Sequence, residues 1–156
     1  MLILGGVAPS LVNFRGPLIA RLVRSGHRVI ACAAGPDPAI ERQLAALGAE
    51  YHPIALHRAG LRPDQDLRTF RDLVRLFRTH RPEILIAYTI KPVIWGTLAA
   101  AWAGVPRRFA IITGLGYAFG GKGLKVRLIG RVVRQLYRRS LRNAEKVFFQ
   151  NPDDQR

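Results

Sequence analysis

The chain has 156 residues, 49% apolar and 22% charged, which suits one globular domain with a proper core. Its 25 Lys and Arg against 10 Asp and Glu give a formal charge of +15, and its single cysteine excludes an internal disulfide. No apolar run approaches the ~18–20 residues of a membrane-spanning helix, and the opening "MLILGG" lacks the basic start and long apolar core of a secretory signal.

Taken in chain order, short apolar runs alternate with helical periodicity. Residues 2–4 (LIL) predict a first strand, followed by a helix from about Phe14 to Ser25 that stops at Gly26. Residues 28–33 (RVIACA) predict a second strand carrying Cys32 as core filling, and 38–48 a helix stopped by Gly48. Residues 50–56 form a weaker third strand, because Pro53 cannot donate to a ladder and confines it to an edge or a strand end. Asp64 or Asp66 is placed to cap the next helix, on which Leu67, Phe70, Leu73, Val74 and Phe77 make an apolar stripe. Residues 83–88 (EILIAY) are apolar at their centre, as a central parallel strand requires. A helix over 93–103, a strand over 108–113, a glycine-rich loop, a helix over 123–142 and a strand over 146–150 complete the chain. This alternation predicts an α/β fold: a Rossmann-like three-layer sandwich, a mainly parallel sheet with helices on both faces, as one domain over 1–156.

Ligands bind such sheets beyond the carboxyl ends of the strands. The loops to inspect are therefore "GGVAPSLVNFRGP", "YTIKP", "TGLGYAFGGKG" and "NPDD". In the first, Gly5 and Gly6 allow close backbone approach, and Ser10, Asn13 and Arg15 follow. It has no G-x-G-x-x-G and no acidic residue at the end of the second strand, which argues against a dinucleotide site. Gly116, Gly121 and Lys122 imitate a Walker loop, but Gly123 stands where a magnesium-binding hydroxyl is required and the following strand ends without an aspartate. His27, His52, His57 and His80 have no metal-ligand spacing, and Asp153 and Asp154 read as a helix cap.

Charge is unevenly distributed. Between Glu83 and Glu145 there is no acidic residue in 61 positions, but 11 Lys or Arg. Eight of these lie on or at the start of the 123–142 helix, and seven of them, Lys122, Lys125, Arg127, Arg131, Arg134, Arg138 and Arg142, are expected to make its basic face, while its apolar residues repeat every four positions from Leu124 through Leu128, Val132 and Leu136. Such a helix offers the sheet its apolar stripe and an anionic surface its basic face. A basic, non-enzymatic α/β module that binds nucleic acid or an anionic membrane is one reading of that charge. No RNA-binding motif and no interleaved aromatics support the nucleic-acid form.

Three stretches, "SLVNFRGPLIARLVRSGHRVIACAAG", "IAYTIKPVIWGTLAAAWAGVPRRFAIITGLGYAF" and "VFFQNPDD", resemble the N-terminal half of bacterial glycosyltransferase family 4 enzymes that act on lipid-linked sugars. The resemblance covers almost the whole chain. It implies one lobe of a two-lobed GT-B fold, the acceptor-side lobe of a retaining enzyme that needs no metal or other cofactor. The nucleotide-sugar, a substrate, would be held mainly by a C-terminal lobe with an acidic motif that this chain does not contain, so the chain is not expected to catalyse transfer alone. Gly5, Gly6, Asn13 and Arg15 are implied near the donor phosphates and acceptor, and Lys91, Thr113, Gly114 and Tyr117 at the acceptor. The implied partners are a lipid-linked or other glycan acceptor, the C-terminal lobe and an anionic membrane surface, with no specific nucleic acid. The implied location is peripheral on the cytoplasmic face of the membrane.

Overall fold

The computed structural model describes residues 1–57, 62–114 and 124–151, the last group without the side chains of 124–129. Six strands form one sheet: β1 (Leu2–Leu4), β2 (Ile30–Ala34), β3 (Glu50–Ile54), β4 (Ile84–Tyr88), β5 (Arg107–Ile112) and β6 (Lys146–Phe149). Every pairing is parallel and the spatial order is β3-β2-β1-β4-β5-β6. The order reverses between β1 and β4, where Leu2, Ile3 and Leu4 pair with Leu85, Ile86 and Ala87. A reversal of this kind opens a crevice at the carboxyl ends of the two strands, because their outgoing connections leave to opposite faces.

Both faces are covered, which is why β1 is wholly buried. On one side α1 (Ala8–Asn13), α2 (Gly16–Arg24) and α3 (Pro38–Ala46) pack a core that includes Ile3, Ala31, Ala33, Leu44 and Tyr88. On the other, α4 (Pro63–His80), α5 (Thr97–Trp102) and α6 (Leu124–Arg142) cover Leu2, Leu4, Cys32, Leu85, Ala110 and Ile112. Cys32 is fully buried, and that burial pushes its thiol well above the usual range, leaving it unreactive core. Pro53 sits on β3, the sheet edge, as its missing donor demands.

Four expectations are corrected. Residues 8–13, expected as part of the loop after the first strand, form α1, and the helix expected from Phe14 to Ser25 is α2 (Gly16–Arg24); the two are separated at Phe14–Arg15, where Pro17 has no N–H to return to the Asn13 carbonyl. The helix expected over 93–103 opens as a π-helical turn at Pro92–Gly96 before becoming α5. Asp66 lies inside the first turn of α4 and its carboxylate accepts from the Arg62 N-cap amide at 3.3 Å, so it closes the helix start from within. Finally, Leu67 is 47% exposed and Val132 44%, although both belong to apolar stripes. On α6, Leu136 of that stripe packs on the core together with Val133, Tyr137 and Leu141 beside it.

Candidate functional site

The crevice at the switch point is walled by backbone. Gly5 donates to the Cys32 carbonyl at 2.9 Å, continuing the β1 ladder one residue past the strand. A Cβ on Gly5 would overlap the Tyr88 hydroxyl, and one on Gly6 would lie 2.9 Å from the Thr89 Oγ1. Glycine is therefore required at both positions by the closeness of the β4 tip.

Around that tip lies a buried polar group of side chains. Ser10 Oγ donates to the Val7 carbonyl at 2.7 Å and shares a 2.8 Å hydrogen bond with the Tyr88 hydroxyl. Burial pushes the Tyr88 phenol up, against smaller opposing pulls from the Ser10 bond and the Arg15 charge, so it stands as a neutral hydrogen-bonding group. The Arg15 guanidinium lies over the Tyr88 ring at 4.8 Å. Arg15 is only 8% exposed; its Nη1 donates to the Phe14 carbonyl at 3.3 Å. With its amide oxygen turned toward Arg15, Gln150 accepts from Nη1 and Nη2 at 3.0 and 3.1 Å. Arg15 Nε is buried without a partner. One arginine thus links the loop after β1, the end of β4 and the exit of β6.

The other wall holds an ion pair. Lys91 Nζ lies 2.8 Å from Asp66 Oδ1, with side-chain exposures of 11% and 4%. Asp66 sits beside Thr69, whose hydroxyl donates to the Ala55 carbonyl at 2.7 Å, so the start of α4 is tied both to the chain leaving β3 and to the tip of β4. Thr89 carries φ +69°, a left-handed conformation uncommon for a β-branched residue, and its Oγ1 is buried with no partner.

Of the residues expected at the site, Gly5, Gly6, Arg15 and Lys91 are brought around the β1–β4 crevice. Asn13 is exposed at the end of α1, and Thr113 and Gly114 are exposed just beyond β5. Tyr117 and Lys122 lie outside the described residues, as do the side chains of Lys125 and Arg127 in the first turn of α6. Arg131, Arg134, Arg138 and Arg142 are exposed along the rest of that helix. Sequence reasoning did not single out Tyr88, Thr89, Asp66 as a lysine partner, or Gln150. Tyr88 alone left a signal, as the one hydrogen-bonding side chain at the end of an apolar run. Among the described residues no group of three His, Cys, Asp or Glu could hold a metal ion.

Residues 13–156 match the glycosyl transferase 4-like domain. The chain belongs to this family. Among proteins of known activity, it is 30% identical over 142 residues to the N,N'-diacetylbacillosaminyl-diphospho-undecaprenol alpha-1,3-N-acetylgalactosaminyltransferase of Campylobacter jejuni, covering 91% of this chain and 37% of that protein. Its fold is similar to that of MurG from Acinetobacter baumannii, with a TM-score of 0.62, 16% identity, and coverage of 97% of this chain and 41% of that one. It is also similar to a UDP-N-acetylglucosamine 2-epimerase, with a TM-score of 0.64 at 14% identity, over 97% of this chain and 40% of the epimerase. The chain spans about two-fifths of the length of each of these proteins. The two structural likenesses establish the Rossmann-like α/β lobe, and an epimerase among them shows that the fold by itself does not select the reaction.

Proposed function

We propose that this glycosyl transferase 4-like chain is the acceptor-side lobe of a retaining GT-B glycosyltransferase. The enzyme would move a sugar from a nucleotide-sugar to a glycan carried on a polyprenyl diphosphate. What carries the reading is the family match together with the β1–β4 switch point, where Gly5 and Gly6 lie against Tyr88 and Thr89, Arg15 stacks on Tyr88 and Lys91 follows β4. The diphospho-undecaprenol in the name of the Campylobacter relative supplies the acceptor class.

On this reading Gly5, Gly6, Asn13 and Arg15 border the donor phosphates and the acceptor, and Lys91, Thr113, Gly114 and Tyr117 border the acceptor. A second lobe holds the nucleotide-sugar, and no metal or cofactor takes part. The exposed cations of α6 face an anionic bilayer on the cytoplasmic side, where the lipid-linked acceptor resides. The acid-free span from 84 to 144 supports this, since it leaves the field of α6 unopposed by acidic residues along the same stretch of chain.

Vesicle sedimentation tests the proposal. The chain is expected to bind phosphatidylglycerol vesicles carrying an undecaprenyl-diphosphate-linked N-acetylhexosamine more tightly than the same vesicles without it. At about 1 kcal/mol for each cation near an anionic surface, changing Arg131, Arg138 and Arg142 together to Gln should weaken vesicle binding roughly 100-fold. Equal binding with and without the lipid-linked sugar, or tighter binding to duplex DNA with a steep salt dependence, would overturn it.

A further inference from the structure

The two cations nearest the crevice are already engaged. Lys91 is paired with Asp66 at 2.8 Å, and Arg15 is stacked on Tyr88 with its Nη groups on Gln150 and the Phe14 carbonyl. Arg15 keeps one buried nitrogen, Nε, without a partner, and on β4's own exit the unmatched atom is a neutral hydroxyl. Thr89 Oγ1 is buried without a hydrogen bond, although the residue as a whole is only half-buried. Its backbone is held at φ +69°, where a branched side chain is unfavourable and glycine or asparagine would sit easily. Gly6 faces the same hydroxyl so closely that any side chain there would press on it, with Pro92 on the same side. A costly backbone conformation, an unsatisfied hydroxyl and a glycine cleared in front of it converge on one residue at the switch point. None of the three improves the folded state.

We propose that Thr89 is a specificity-determining residue of the crevice, whose hydroxyl hydrogen-bonds a hydroxyl of a bound sugar. The inference rests on the glycosyltransferase reading of this crevice and deepens it. A threonine hydroxyl both donates and accepts, as a sugar hydroxyl does, whereas a phosphoryl oxygen only accepts. A 120° rotation about χ1 carries Oγ1 to a different staggered position, so the hydroxyl is not confined to its place against Gly6 when a ligand hydroxyl is near. With Lys91 neutralised by Asp66, a neutral polyol suits this end of the crevice better than a second anion.

The test is an amide-resolved NMR titration of the chain with N-acetyl-D-galactosamine and, separately, with inorganic pyrophosphate. It is repeated on Thr89→Val and Thr89→Ser, with thermal melting of all three proteins. The sugar should shift the amide of Thr89, and pyrophosphate, which the glycosyltransferase reading places nearer Gly5, Gly6 and Arg15, should not. Thr89→Val, which keeps the shape and the backbone demand, should weaken sugar binding at least 10-fold, while Thr89→Ser stays within about 3-fold. Thr89→Val should melt no lower than the parent, because it deletes a buried hydroxyl that has no partner. Sugar shifts at Gly6 that persist with equal affinity in Thr89→Val would overturn the inference and leave the reading of the crevice standing, as would a Thr89→Val protein that melts lower in the absence of sugar. No sugar-induced shift at Gly5, Gly6, Arg15, Thr89 or Lys91 would overturn the inference together with the sugar-binding reading on which it rests.

Discussion

Gly5 carries more of the site than its size suggests. The β1 and β4 tips approach so closely that the Tyr88 hydroxyl occupies the space a Cβ would need. Gly5→Ala must therefore displace Tyr88, breaking its bond to Ser10 and its stacking under Arg15. Overpacking of this kind costs about 1–3 kcal/mol, and chemical denaturation should show a loss in that range. Tyr88→Phe keeps the ring and removes only the hydroxyl, so it should cost about 1 kcal/mol. A Gly5→Ala protein as stable as the parent would mean that the tips are not held this close. At this scale the sequence pointed to Gly5 and Gly6 through their place at a strand exit. It could not give Tyr88 as the neighbour of Gly5, because the contact spans 83 residues of chain and depends on β1 and β4 being neighbours in the sheet.

Among elements, the Lys91–Asp66 pair decides how α4 sits against the tip of β4. Both groups are nearly dry, and the pair links the first turn of a helix to the residue just before the π-helical turn. Removing one partner strands a charge in the interior, so Asp66→Ala should cost about 3–5 kcal/mol by denaturant melting. Replacing both partners, as in Asp66→Leu with Lys91→Met, should recover most of that loss, since ion pairs this buried gain little over apolar packing. If the double variant is no more stable than the single one, the carboxylate has a structural role beyond its lysine. Sequence periodicity found α4 and its apolar stripe, yet Leu67 and Val132 lie exposed. Periodicity ranks the faces of a helix; how far the neighbouring elements extend over each face is set by packing. The six residues of α1 escape sequence reading because so short a helix, opening on Ala8-Pro9 inside a glycine-led loop, shows too few turns for its period to be read.

At the level of the whole molecule, stability has a pH dependence with a definite sign. His52, on the edge strand β3, meets His80 at the end of α4 with ring centroids 5.6 Å apart. Partial burial, and then the neighbouring His80, hold the His52 imidazole below its ordinary value. Between that lowered value and the unfolded one of about 6.5, the unfolded chain binds more protons than the folded one, so stability rises with pH across this window. The contribution is fully present above pH ~6.5 and is lost as the pH falls toward the folded value. Melting temperatures measured from pH 7.5 down to 5.5 should fall, and His52→Gln should flatten the decline. An unchanged slope in that variant would assign the dependence elsewhere. The charge of +15 is a property of the same scale: it sets the sign of the partners the molecule attracts without influencing the order of its strands.

The sequence by itself determined the alternation of strands and helices, the restriction of the strand with Pro53 to an edge or a strand end, the glycine stops at Gly26 and Gly48, the family and the basic character of α6. These are readable because each depends on local backbone chemistry, on the period of apolar residues, or on motifs contiguous in the chain. Only the tertiary structure decided that Arg15 is buried against Tyr88 and Gln150, that Lys91 is neutralised by Asp66, and that Thr89 is held left-handed with its hydroxyl unmatched. Those features arise where the strand order reverses and bring the ends of β1, β4 and β6 together. A contact between residues 10 and 88, or 15 and 150, exists only once the sheet has closed around it.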